Sequence, residues 1–151
     1  TSVIGGSRSL QVTRQTIFGA NGAFSVSASI SESETAIGQI FEFVSSPNVD
    51  GRTTLVYNGS DNNLSRDFSA ENLIRIDVAS YDFPGSVPLP ITLTLESGLD
   101  GDTSSFSLER SLAGFSGFVD FGLVDFSGVN LSDVDRITVV FDAPRAADFQ
   151  L

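Results

Sequence analysis

Residues 22–33 read GAFSVSASISES, and this stretch decides the fold. Phe24, Val26, Ala28 and Ile30 alternate with Ser25, Ser27, Ser29 and Ser31. A period of two places the apolar groups on one face of a strand and the hydroxyls on the other. A helix would scatter both around its circumference. An antiparallel strand with one face on a core and one in water has this pattern.

The same reading extends along the chain. Strands are expected at 8–15, 38–45, 52–58, 73–81, 89–97, 105–110, 117–126, 136–142 and 147–151. Breakers separate them: Gly19 to Gly22, Pro47 to Gly51, Asn58 to Asn63, Pro84 to Pro90, Gly98 to Asp102, Gly128 to Asn130, and Pro144. Short strands at this spacing predict an all-β, antiparallel two-sheet β-sandwich, jelly-roll-like. Helical turns are expected only at 131–136, with Ser132 as cap, and at 69–72. No composition shift divides residues 1–151, which read as one domain.

Composition narrows the chemistry. The 151 residues carry 8 Lys+Arg against 19 Asp+Glu, for a net charge of −11. All the basic residues are Arg, and there is no Lys, His, Cys, Met or Trp. That inventory excludes a Cys/His zinc site, haem ligation, an iron–sulfur cluster, a thiol nucleophile, a Ser-His-Asp triad, a Schiff base and a Walker-type loop. The negative charge opposes nucleic acid phosphates and anionic lipid. No apolar run reaches 18 residues, so neither a transmembrane helix nor membrane insertion is expected. Thr1 is not followed by a basic and apolar leader, so any signal peptide is expected to be already removed.

Carboxylates are the remaining reactive groups. Asp100 and Asp102 flank Gly101, Asp61 and Asn63 sit in a second oxygen-rich turn, and Asp133 and Asp135 precede a late strand. Such loops supply the hard oxygens that Ca²⁺ takes. They are equally the ordinary residues of tight turns, and none has EF-hand spacing. Ca²⁺ is the one cofactor the sequence suggests. A pair of acids for glycoside hydrolysis is too easily found among 19 to count as a signal, and no enzyme is expected.

The aromatic-rich segment GFSGFVDFGLVDF holds Phe115, Phe118, Phe121 and Phe126. Phe118 and Asp120 share one face of the expected strand, and Val119, Phe121 and Leu123 the other. Most of these rings are expected in the core, with the strand buried on both sides; the alternative is one apolar face shown to another subunit. Sugar-binding faces prefer Trp and Tyr, and the chain has two Tyr only, Tyr57 and Tyr81. The dispersed Arg residues read as structural ion pairs. Three Asn-x-Ser sequences, at Asn58, Asn63 and Asn130, are glycosylation acceptors if the source glycosylates.

The order of signatures resembles a family of bacterial secreted β-sandwich proteins, many with a Pro-Glu-Pro carboxy-terminal sorting signal. The similar features are Gly5, Gly6 and Arg8 before the first strand, and Tyr57, Asn58 and Gly59 in the middle. Val134, Asp135 and Ile137, then Asp148, Phe149 and Leu151, complete them. The sorting signal itself is not present in these residues. The resemblance implies an exported protein of the cell surface or exopolysaccharide, with a sandwich like those of carbohydrate-binding modules.

Two functions follow as expectations. The first is a non-enzymatic, self-associating structural or adhesive protein, with 2–15 and 148–151 as strand donors to a neighbouring copy. The alternative is a carbohydrate-binding module, with or without Ca²⁺, whose partner is a polysaccharide.

Overall fold

A computed structural model describes residues 8–17, 26–32, 39–46, 49–59, 63–82, 87–98 and 103–151. The described elements are β1 (Arg8–Ile17), β2 (Val26–Glu32), β3 (Gln39–Ser45), β4 (Val49–Tyr57), β5 (Leu73–Val78) and β6 (Ser80–Asp82). They continue with β7 (Leu89–Ser97), β8 (Ser104–Leu112), β9 (Gly117–Gly122), β10 (Arg136–Ala143) and β11 (Asp148–Gln150). A single 3₁₀ turn, Leu123–Asp125, is the only helical element among the described residues.

The fold is an antiparallel β-sandwich of the jelly-roll kind. One layer has the order β1-β4-β10-β7-β8. The other holds β2-β3-β11-β6 and the ribbon β5-β9. Two backbone bonds join these into one surface: Ala79 N–H donates to Gln150 O at 2.8 Å, and Tyr81 N–H to Phe115 O at 2.6 Å. The expected strand 73–81 is therefore interrupted at Ala79. Asp77 and Ser80 both face solvent while Val78 and Tyr81 are buried, so one extra residue sits at the junction, as in a bulge.

Strict alternation fills the core. In β7, Leu89, Ile91, Leu93 and Leu95 are fully buried while Pro90, Thr92, Thr94 and Glu96 stand on the wet side. Phe149 is the hub between layers. Its ring centroid lies 5.0 Å from Phe43, 5.0 Å from Phe141 and 5.7 Å from Phe41. Burying one such ring contributes about 1.5–3 kcal/mol. Thr53 is the odd member of the core face, because its hydroxyl finds no hydrogen-bond partner among the described residues.

Strand limits differ from expectation where pairing overrides composition. β4 begins at Val49, inside the expected breaker, because Val49 and Asp50 pair with Ile17 and Thr16. The expected strand 117–126 stops at Gly122, which pairs with Leu73, the first residue of β5. Leu123 N–H then donates to Asn72 O, and the chain turns. The expected cap at Ser132 belongs to Asn130, whose Oδ1 accepts from Ser132 N–H and Oγ–H.

Gly59 has φ +68°, and a Cβ there would collide with the Asn63 carbonyl oxygen. Only glycine satisfies both the backbone and the space.

Candidate functional site

The β5-β9 ribbon carries the most unusual surface. Its register sets Arg75 opposite Asp120 and Asp77 opposite Phe118. Alternation then places Leu73, Arg75 and Asp77 outward with Phe118 and Asp120, while Val78, Val119 and Phe121 enter the core. Phe118 is 60% exposed, and Phe115, just before the strand, is 70% exposed. Burial of this strand on both sides is thereby corrected: only the Val119/Phe121 face is covered, and Phe121 and Phe126 are core residues.

Arg75 organises the patch. Its Nε and Nη2 donate to the two Asp120 carboxylate oxygens, each at 2.7 Å. This bidentate pair fixes the guanidinium plane. The same guanidinium lies 4.7 Å from the centroid of the Phe118 ring. An exposed cation–π contact of this kind is weakly attractive and orients the ring. The arginine hydrogen bonds hold the Asp120 carboxyl below its usual range, and the same partner raises Arg75.

Beside the patch lies a slot of about 190 Å³. Arg75 and Asp77 of β5 line it, and both are exposed. Buried Leu55, Val139 and Phe141 reach it from the opposite layer, so they form its floor. Ile76, half-buried Tyr57 and Leu151 also line it. β11 lies between β3 and β6 for three residues, and Leu151 N–H still donates to Phe41 O at 3.0 Å. Alongside Arg75–Asp77, β5 is paired only with β9 among the described residues.

Of the expected metal ligands, Asp61, Asp100 and Asp102 lie outside the described residues. Asn63 and Asp133 are brought together, but through Ser65. Asn63 Oδ1 accepts from Ser65 N–H at 2.9 Å, and Ser65 Oγ–H donates to Asp133 Oδ1 at 2.9 Å. Asp135 is 3% exposed, with its backbone bonded to Leu64 and Glu96. Among the described residues, no three Asp or Glu side chains stand close enough to share a metal ion. Arg75, Asp77 and the slot escaped the sequence reading. Their one legible sign was the alternation Leu73/Arg75/Asp77, whose partner strand the sequence does not name.

No family model matches the chain, and no curated protein does. Solved structures do. One is a family 11 carbohydrate-binding module from Clostridium thermocellum in complex with a β-1,3-1,4-mixed-linked tetrasaccharide. It shares 14% identity and a TM-score of 0.56, over 99% of this chain and 86% of that one. A second is the family 11 carbohydrate-binding module of a cellulosomal cellulase of Clostridium thermocellum. It has 14% identity and a TM-score of 0.54, over 95% of this chain and 83% of that one. At such identity the likeness shows the fold.

These findings correct the self-association expectation. The two solved structures named above, which share the fold, are carbohydrate-binding modules and not structural or adhesive proteins by their descriptions. The supposed strand donors are also engaged at home. Asp148–Gln150 is an inner strand paired on both sides. A buried clasp holds it there: Ser45 Oγ accepts from Ala147 N–H, and Asp148 Oδ1 accepts from Ser45 N–H. At the other end, β1 is the edge of its sheet and pairs with β4 on one side, with an irregularity between Arg14 and Thr16, and residues 2–7 lie outside the described residues. No helix among the described residues is long and apolar enough to cross a membrane.

Proposed function

We propose that the protein is a non-catalytic carbohydrate-binding module that works outside the cell, on neutral polysaccharide, through the Phe118–Arg75 patch. One observation carries this reading: an outward phenylalanine ring held by an arginine that is itself locked to a carboxylate. A pyranose has an apolar C–H face and a hydroxyl edge. A ring takes the first, and adjacent donors and acceptors take the second. Phe lacks the polar edge of Tyr or Trp; Arg75, Asp77 and Asp120 supply it from the neighbouring positions. The jelly-roll frame and the resemblance to exported sandwich proteins support the same reading, as fold analogy only.

Catalysis is a poorer account. A glycosidase needs one carboxyl held above its usual range as general acid. Asp120, the carboxylate most firmly built into the patch, is shifted the other way.

Affinity electrophoresis through a panel of soluble neutral polysaccharides tests the proposal. The wild-type protein should be retarded by at least one of them, and Phe118→Ala should migrate freely. Unretarded wild type across the panel, or release of reducing sugar on incubation, would overturn it.

A further inference from the structure

We propose that Asp120 is the positioning residue of the glycan site: it locks Arg75 beside Phe118, so that the free edge of the guanidinium takes two adjacent hydroxyls of the sugar covering the ring. This rests on the carbohydrate reading and adds which feature of the sugar is recognised and which residue sets it. Three observations carry it.

The first is register. Arg75 stands opposite Asp120, and Asp77 opposite Phe118, so Phe118 is the diagonal neighbour of Arg75 on the outer face. A long side chain reaches a diagonal neighbour. Arg75 thus meets both outward side chains of β9: it is hydrogen-bonded to Asp120 at 2.7 Å and lies 4.7 Å from the Phe118 centroid. The second is the edge in use. Arginine carries five N–H donors around a rigid plane. Nε and Nη2 each give one to Asp120. Among the described residues nothing hydrogen-bonds Nη1, and the Arg75 side chain is 49% exposed. The lock on one edge therefore fixes a second edge, Nη1 with the other Nη2 hydrogen, as an open fork.

The third is charge. Both Asp120 oxygens are engaged by Arg75, and the pair is neutral. Asp77 follows on the same face of β5, while Asp125, beyond β9, is paired with Arg110 of β8 at 3.2 Å. With −11 on the whole chain, an anionic group gains little at this fork. Uncharged oxygens standing side by side suit it better. Two hydroxyls on neighbouring ring carbons can each accept one of its bonds. A lysine would offer a point charge on a flexible stem and no fork. A sugar acylated at, or linked through, either hydroxyl forfeits one of the two bonds.

The test uses the neutral polysaccharide that retards the wild type most strongly. Asp120→Asn should weaken retardation at least fivefold, and Asp120→Glu should restore most of it, with thermal unfolding unchanged in both. Arg75→Lys, which keeps the charge and loses the fork, should also weaken retardation at least fivefold. Periodate cleaves the carbon–carbon bond between adjacent hydroxyls. Polysaccharide treated with periodate and then borohydride should no longer retard the protein, whereas borohydride alone should change nothing. Nuclear magnetic resonance gives a readout without ligand. The Arg75 Nε–H signal should be displaced by the Phe118 ring and slow to exchange in the wild type, and should lose both properties in Asp120→Asn. Full retardation of Asp120→Asn and Arg75→Lys, an Nε–H signal indifferent to Asp120→Asn, or undiminished retardation by the periodate-treated polysaccharide would overturn the inference. Loss of retardation in Phe118→Ala under those conditions would still uphold the module. A wild type that no polysaccharide retards would remove both.

Discussion

The two outer faces of the sandwich are built by the same alternation and come out differently. On the β1-β4-β10-β7-β8 layer, Thr54, Val140, Thr92 and Glu109 stand in one cross-strand row, and Val56, Thr138, Thr94 and Ser107 in the next. Thr94 and Ser107 hydroxyls meet at 2.7 Å. Ion pairs Arg52–Asp142 and Arg136–Glu96 lie on either side of these rows. Here polar groups answer one another across strands. On the β5-β9 ribbon the charged groups do the same, yet an aromatic ring remains largely open. The hydrated face and the proposed recognition face therefore differ by where a few rings point, not by overall polarity.

The largest expected effect separates inner from outer rings. Phe149→Ala should cost about 3–5 kcal/mol of stability, because Phe149 joins the two layers and its cavity cannot collapse. Phe118→Ala should cost under about 1 kcal/mol while abolishing polysaccharide retardation. Denaturant titration of the two variants reads the difference, and equal losses would break the distinction.

Alkali should act on the ribbon's layer next. Burial raises the Tyr81 hydroxyl to about 12, and it donates to Val87 O at 2.9 Å. Because the folded value lies above the unfolded one near 10, this contribution is complete below about pH 10. It is lost as pH rises through about 12. Thermal melts from pH 9 to 12 should fall more steeply for wild type than for Tyr81→Phe.

Ion pairs come lower. Arg52→Gln should change stability by about 0–1 kcal/mol, as exposed pairs do. Arg75→Gln should leave thermal unfolding nearly unchanged, yet weaken polysaccharide binding at least fivefold. The smallest effect belongs to the hydroxyl rows. Thr94→Ala with Ser107→Ala should alter stability by under about 1 kcal/mol and leave retardation unchanged. Lost retardation in that double variant would move the recognition surface to the other layer.

Much of this was written in the chain. The alternation at 73–78 and 89–97 gave strand positions and inner faces, because side-chain direction in a strand is a local property. Phe118 shares parity with Asp120, and that already hinted at its outward side, though thirteen Phe without Trp or Met argued for burial. Pairing was not legible. That β5 meets β9, that Arg75 faces Asp120, and that β11 lies between β3 and β6 are long-range facts. The slot depends on all three. The same holds for the acidic turns read as metal loops: Asn63 and Asp133 are joined through Ser65, a long-range link the sequence does not show.

Gly59 links two otherwise separate parts of the molecule. It abuts the Asn63 carbonyl, Asn63 steadies Ser65, and Ser65 holds Asp133, while two residues upstream Tyr57 borders the slot. A methyl group at position 59 would shove this relay from one end. A laboratory lineage selected for tighter sugar capture would therefore be expected to tinker with many neighbours and leave that hydrogen atom alone.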